Sequence, residues 1–415
     1  MSPVLTQFKG YRLVIAGLMA SICLSMAMCD SLKSDRSQSR IVHPRGLQFA
    51  GSANCENCHQ QIFDSHLLTA HYLTSQPADI KNIKGSFDSS RNILSLNNRL
   101  KIIMKKKPTG FFQVGFVDGW EVNSKPMDIV IGAGRKGQTY LYWQENELFQ
   151  LPVSYYTPLD TWCNSPGYPT DQILFNRNIP ARCLECHGTY FKSENKKGVE
   201  VFDKSKMMYG VDCERCHGPA AKHVSFHLEH PEEKKAQYIV NPAGLTRKQK
   251  LDNCALCHSG IRKNIKPPFS FIVGDNLEDY SLPDYSADSI AALDVHGNQY
   301  GLLSASACFK NSNMDCSSCH DVHKKEPDDM KLFSLRCMNC HSPDKNNFCT
   351  QHEVPGLTLS NNCIDCHLPL LPSSQVLFQV VGKSDPAPYF VRTHLIKTYE
   401  EEVKKYLKGI NSMVR

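Results

Sequence analysis

Seven copies of one five-residue pattern, Cys-x-x-Cys-His, carry the chemistry of this chain. They are Cys55/Cys58/His59, Cys183/Cys186/His187, Cys213/Cys216/His217, Cys254/Cys257/His258, Cys316/Cys319/His320, Cys337/Cys340/His341 and Cys363/Cys366/His367. This is the attachment signature of c-type haem. Two thiols add across the haem vinyl groups as thioethers. The two-residue gap lets one turn of backbone present both sulfurs to one porphyrin edge, and the adjacent His reaches the iron as proximal ligand. With 19 Cys and 17 His in 415 residues, chance gives far fewer than one copy. A Cys-x-x-Cys pair elsewhere is a redox disulfide or half of a zinc site. Neither needs a His after every second Cys.

The elements that must position these motifs follow in chain order. Residues 1–28 read as an export signal: Lys9 and Arg12 form the charged start, and Leu13 to Met28 is apolar but short for a bilayer span. Ser25-Met26-Ala27 offers small residues for cleavage, and Cys29 offers a second reading, a lipoprotein cysteine. Residues 29–50 are a polar tether, with His43 a spare surface His at its end. Residues 51–80 carry the first motif on a helix, because Ile62, Phe63, Leu67 and Ala70 recur at helical spacing.

Residues 81–160 hold no motif and read as a β insert. Short β-prone runs at Leu100–Lys105, Phe111–Val117, Met127–Ile131, Gln138–Trp143 and Glu147–Val153 are punctuated by Gly and Pro. Gly132-x-Gly134-x-x-Gly137 lacks the following helix and the βαβ setting of a dinucleotide fingerprint. Residues 161–260 carry motifs two to four, 261–310 form a Pro- and Asp-rich connection, and 311–370 carry motifs five to seven. Residues 371–415 end the chain in a helix, with a 3.6-residue stripe from Leu395 to Ile410. The fold class expected is a mostly α and irregular multihaem cytochrome c fold with an inserted antiparallel sheet. Much of its interior would be porphyrin, with the motif cysteines at porphyrin edges.

The order of the first segment resembles the multihaem cytochromes of the cytochrome c554 type. There, a Ser/Thr-x-His follows the first haem His by twelve residues, as Thr69-Ala70-His71 does here; His66 stands where the family usually has Trp. Cys216-His217-Gly218-Pro219-Ala220 with His223 downstream matches the family's haem-linked turn, whose later His serves another haem. The resemblance is strongest over residues 51–76 and 180–225 and looser at the motif-rich end. It implies His71 and His223 as distal ligands. His323, one helical turn after His320, repeats an arrangement found in multihaem cytochromes. Family members usually have four haems, so seven motifs and an inserted sheet depart from the pattern.

Other histidines qualify by position. His296 sits in a glycine-flanked loop upstream of the fifth motif, His352 lies between motifs six and seven, His394 opens the C-terminal helix, and His227 or His230 lies on an amphipathic stretch. Of the 17 His, seven belong to motifs and ten remain, enough for a second imidazole on every iron. Seven haem c groups with two imidazoles each leave no open position, so the chain would only pass electrons. The alternative is a haem-centred oxidoreductase acting on a small nitrogen or oxyanion substrate at one open iron. Nitrite reductases of the related group often carry Cys-x-x-Cys-Lys at such a site, and no such motif occurs here. Arg177, Arg182, Tyr155 and Tyr156 are the side chains nearest in sequence that suit an oxyanion. Cys163, Cys308 and Cys349 fall outside the motifs.

The formal charge of +6 does not point to nucleic acid. Losing residues 1–28 removes Lys9 and Arg12 and leaves +4. Seven ferric haems with ionised propionates, at about −1 each, bring the holoprotein to about −3. The partners expected are redox proteins: other cytochromes, a quinol-linked membrane complex or a terminal reductase. The location expected is the periplasm or cell envelope of a bacterium, with membrane contact only through a lipid on Cys29.

Overall fold

In the computed structural model, residues 41–284, 290, 292–326, 329–345, 347–349, 359–379 and 386–413 are described. The chain divides into Met1–Val42 and His43–Arg415, and the elements below all belong to the second unit. The first haem segment is a helix, Ala53–His66, kinked at His59, whose φ of −121° is non-helical.

Two antiparallel sheets follow. Ile93–Ser95, Leu100–Lys107, Gly110–Val117 and Trp120–Pro126 form a meander in sequence order. Leu100 pairs with Val117 and Lys107 with Gly110 across its central hairpin. A seven-stranded sheet runs Ser75–Pro77, Ile129–Ile131, Gly137–Gln144, Glu147–Gln150 and Arg177–Asn178, with Val153–Tyr156 and Thr161–Asn164 joined at its side. Ile102, Met104, Phe111, Tyr140, Leu151 and Trp162 are among the side chains buried between them. Gln113, fully buried, clasps the two layers: its amide donates to the Val153 carbonyl at 2.7 Å and accepts from the Val153 N–H at 2.9 Å. The Gly132–Gly137 run is the loop of an antiparallel hairpin. A Cβ on Gly132 would stand 2.8 Å from the Gly137 carbonyl oxygen.

The fold combines helices with many antiparallel sheets. Helix and strand contribute equally, 28% each among the described residues. Two hairpins add to the strand content. Gly188–Lys196 pairs with Val199–Tyr209 directly after the second motif, and Leu370–Phe378 pairs with Ala387–Arg392 after the seventh. The first turns at Lys197 and Gly198, both with positive φ, the conformation of a two-residue type I′ loop. The C-terminal helix begins only at Glu400. Among the described residues, no helix is long and apolar enough to cross a membrane.

Candidate haem sites

Short helical turns present most of the motifs. Cys213–His217 is a five-residue helix, capped where the Asp212 carboxylate accepts from the Cys213 N–H, and it ends at Gly218 with φ of +79°. Arg247–His258 is longer, started by a capping box between Thr246 and Gln249 that satisfies orphan N–H groups at both ends of the pair. His258 therefore sits at a helix C-terminus, behind a rigid rod.

Six of the seven motif histidines have Nδ1 engaged. His217 donates to the Val240 carbonyl at 2.9 Å, His341 to that of Asn347 at 2.9 Å and His367 to that of Lys397 at 3.1 Å. His258 pairs with the Gln299 side-chain oxygen at 3.2 Å and His187 with the Thr74 hydroxyl at 3.0 Å. His320 faces a carboxylate, Glu326, at 2.9 Å. A partner on one ring nitrogen fixes the tautomer and turns the other nitrogen, Nε2, toward a metal.

Three motif rings face a second imidazole from a distant part of the chain. Centroid separations are 6.2 Å for His71 and His258, 6.1 Å for His217 and His323, and 6.3 Å for His320 and His394. Two metal–imidazole bonds of about 2 Å, plus about 1.2 Å from each nitrogen to its ring centre, sum to about 6.4 Å. The three gaps therefore have the width of one iron held between two rings. Burial, and then the neighbouring imidazole, hold His71 at about 4 and His394 likewise at about 4, so both rings are neutral and offer a lone pair.

The second rings are aimed by local devices. Thr69 donates to the His66 carbonyl at 2.7 Å and accepts from the Tyr72 N–H, turning the chain so that His71 leaves the first helix. The Ser65 hydroxyl donates to the His323 carbonyl at 2.8 Å. Ser306 holds the segment around His394 by donating to its carbonyl and accepting from the Ile396 N–H.

The sulfurs of different motifs also meet. Cys55 hydrogen-bonds Cys213, Cys186 bonds Cys257, Cys254 bonds Cys316 and Cys337 bonds Cys363. Cys254 lies within electrostatic reach of Cys216, and Cys337 within reach of Cys319. Among the described cysteines none is in a disulfide.

Three motif cysteines, Cys58, Cys183 and Cys340, are exposed, whereas the other motif cysteines are part-buried. Cys58 lies on the outward side of the first helix, between the exposed residues Asn57 and His59 and next to the kink. Its motif partner Cys55 turns inward to Cys213 instead. Cys340 lies in the turn just past the helix Met330–Met338, where its carbonyl accepts from the Asn347 amide at 3.3 Å. Its motif partner Cys337 likewise takes the inward place, against Cys363. The first, second and sixth motifs therefore each set one sulfur part-buried and one at the surface.

Residues 170–218 match the family model described as cytochrome c554 and c-prime. Over 197 residues the chain is 27% identical to the multihaem cytochrome MtrA of Shewanella baltica (strain OS185), covering 45% of this chain and 51% of that one. The chain is a multihaem c-type cytochrome. The cytochrome thus spans about half the length of the curated relative it matches. The crystal structure of the outer cell wall cytochrome OcwA has a similar fold, with a TM-score of 0.53 over 86% of this chain and 81% of that one at 15% identity. Haem c is therefore the cofactor, and the paired thiols, aimed Nε2 atoms and iron-width gaps of this cytochrome fit it.

Other histidines of the cytochrome stand differently. His223 donates through Nδ1 to the Gln237 carbonyl at 2.8 Å, and its field reaches His217, as does that of His59. His296 lies in the field of His187 and packs against Tyr389 at 5.4 Å. Its loop is locked by Asp294, which accepts from the His296 N–H at 2.8 Å and from Ser373 at 2.8 Å. His227 accepts at Nε2 from the Gln237 N–H at 3.4 Å, and His230 faces Glu232 at 3.6 Å. His66 is buried with Nε2 on the Val211 carbonyl at 3.2 Å. His43, expected at the surface, is 4% exposed and its Nδ1 accepts from the Arg45 N–H. His352 lies outside the described residues.

The candidate oxyanion side chains do not converge. Arg177 stacks on Tyr168 and donates to the Pro166 and Gly167 carbonyls. Arg182 pairs with Glu185 at 3.0 Å. Tyr155 donates to Asp160, and Tyr156 stacks on Phe378 at 4.5 Å. Spacing does not reveal Glu326, Gln299, Thr74 or Glu214. Only Glu326, six residues after His320, lies close enough in sequence to suggest a partner. Glu214 joins the first and third motif segments, accepting from the N–H groups of Ala50, Gly51 and Ala220 at 2.8, 2.8 and 2.7 Å.

Proposed function

We propose that this cytochrome is an exported heptahaem electron carrier. The observation that carries the reading is the contact between sulfurs of different motifs. Numbering haems by motif, the bonded pairs link haem 1 to 3, 2 to 4, 4 to 5 and 6 to 7. The sulfurs within electrostatic reach add 3 to 4 and 5 to 6. Joined together, these give one path, 1–3–4–5–6–7, with haem 2 branching at haem 4. Every haem then has a neighbour at its thioether edge.

In this reading haem 3 is held by His217 and His323, haem 4 by His258 and His71, and haem 5 by His320 and His394. His296 serves haem 2 and His223 serves haem 1. Attachment through all fourteen motif cysteines, the exposed Cys58, Cys183 and Cys340 included, belongs to the proposal. The cofactors supply one-electron redox chemistry when bound. The chain's own residues hold the rings, exclude water and set the order of neighbours. With His352 and His227 as the remaining candidates for haems 6 and 7, two imidazoles on each iron leave no position for substrate, which favours transfer over catalysis. Export through residues 1–28, residence in the cell envelope, a lipid on Cys29 and exchange with other cytochromes, a quinol-linked complex or a terminal reductase belong to the same proposal. The relatives' names, a multihaem cytochrome and an outer cell wall cytochrome, support that setting.

The test is partial reduction of the matured holoprotein with less than one electron per haem, followed by rapid spectroscopy. A connected path predicts redistribution among haems at a rate independent of protein concentration. A rate that rises with concentration would mean that haems exchange electrons only between molecules, and the reading fails.

A further inference from the structure

We infer that Glu326 lowers the reduction potential of the haem at His320, setting a low-potential step inside the haem path; the inference rests on haem 5 being the site proposed above. Among the described motif histidines with an engaged Nδ1, five face neutral acceptors: the carbonyls of Val240, Asn347 and Lys397, the amide oxygen of Gln299 and the hydroxyl of Thr74. His320 alone of these faces a carboxylate, with Nδ1 2.9 Å from Glu326 Oε2.

The position of that carboxylate is over-determined. Its other oxygen accepts from the Asp321 N–H at 2.8 Å and from Arg336 Nη2 at 2.7 Å. Arg336 is held in turn by the Cys319 carbonyl, within the same motif. The Glu326 side chain is 15% exposed, so water screens it little. The His320 ring also stands 6.3 Å from that of His394, whose Nδ1 meets the Arg392 carbonyl at 3.3 Å.

A carboxylate on Nδ1–H draws that proton toward itself and gives the imidazole anionic character. A more basic ring donates more charge to the metal and stabilises its more positive oxidation state. The ferric form gains more than the ferrous form, and the potential falls. The Arg336 guanidinium opposes this by competing for the carboxylate's charge. Glu326 and Arg336 therefore set the potential with opposite signs. Haem 5 lies between haems 4 and 6 in the proposed path, so the tuned site is an interior one.

The experiment is an equilibrium redox titration of the full holoprotein, with magnetic circular dichroism and EPR to follow haem ligation. Glu326→Gln should raise one midpoint by at least tenfold in its redox equilibrium, 59 mV for one electron, with every haem attached and the low-spin signals retained. Arg336→Gln should move the same midpoint down. Midpoints unchanged in Glu326→Gln with low-spin signals intact would overturn the inference, as would shifts of the same sign in both variants. The path is read from redistribution rates and this tuning from equilibrium midpoints, so each fails separately.

Discussion

The imidazoles of His71 and His258 stand 6.2 Å apart, at 73° to each other, although one follows the first motif and the other ends the fourth. The gap joins an N-terminal segment to a helix in the middle of the chain, so the tertiary fold brings the two imidazoles together. Removing one ring should leave its partner in place. In His71→Ala, one haem should convert from low to high spin while the remaining signals hold, and added imidazole should restore it. EPR of the oxidised protein reads both outcomes. A variant with an unchanged spectrum would remove His71 from the coordination sphere.

Glu214 should matter to stability far more than its place between two cysteines suggests. Its carboxylate receives three backbone N–H groups from two segments. Hydrogen bonds to a charged group are worth about 1.5–3 kcal/mol each, and stranded N–H groups add a desolvation cost. Glu214→Ala should therefore lose at least about 3 kcal/mol in denaturant unfolding of the holoprotein. Burial raises this carboxyl above its ordinary range, with the three N–H groups opposing. A raised acid holds an extra proton in the folded state, so its contribution is fullest below the ordinary carboxylate range and declines as pH climbs through the raised value. Glu214→Gln should lose that part of the pH slope.

Gly210 marks a close backbone approach. Its φ is +65°, and a Cβ there would stand 2.2 Å from the Tyr72 carbonyl oxygen. Backbone cannot swing aside as a side chain can. Gly210→Ala should cost about 1–3 kcal/mol for the conformation alone and more for the clash. A thermal melt matching the parent would contradict this packing of the first haem segment on the third.

Cys163 should be chemically silent. It is fully buried in the strand Thr161–Asn164, packed with Tyr156 and Phe378, and burial pushes its thiol far up. A thiolate is the reactive form. Alkylation of the folded holoprotein should leave Cys163 unmodified, and mass spectrometry after digestion reads it directly. Cys308, half-buried and less strongly raised, should react first of the two. Cys58 and Cys340 are the sharper control: both are exposed, so only a thioether would keep them from the reagent. Alkylation at either one would mean that its motif holds haem by one bond or none.

Much of the site was legible in the sequence, because haem attachment is written in contiguous residues. Cys-x-x-Cys-His needs no partner strand to be read. His71, His323 and His394, singled out by local context, all lie opposite a motif ring. Which ring each one faces was not legible, since pairing crosses from segment to segment. Nor was the outward setting of Cys58 and Cys340, because the motif fixes the spacing of two sulfurs and not which of them meets another segment. The meander around Leu100–Val117 was legible from its short β-prone runs and turn glycines. The hairpin Gly188–Tyr209 carried a signal too: Lys197-Gly198 between alternating side chains. It lay between two motifs, where short haem-binding turns are the natural expectation. Glu326 carries no periodic or motif signal. Its role arises from a turn that folds six residues back onto one ring nitrogen.

The central claim is a path of haems closed by imidazole on both sides, and low-temperature EPR of the fully oxidised holoprotein tests it most directly. Spectra are recorded alone and with nitrite or hydroxylamine. The account predicts low-spin ferric signals only, unmoved by either small molecule. A high-spin signal that either one converts would reveal an open iron. It would contradict the pure electron carrier and put a haem-centred oxidoreductase in its place.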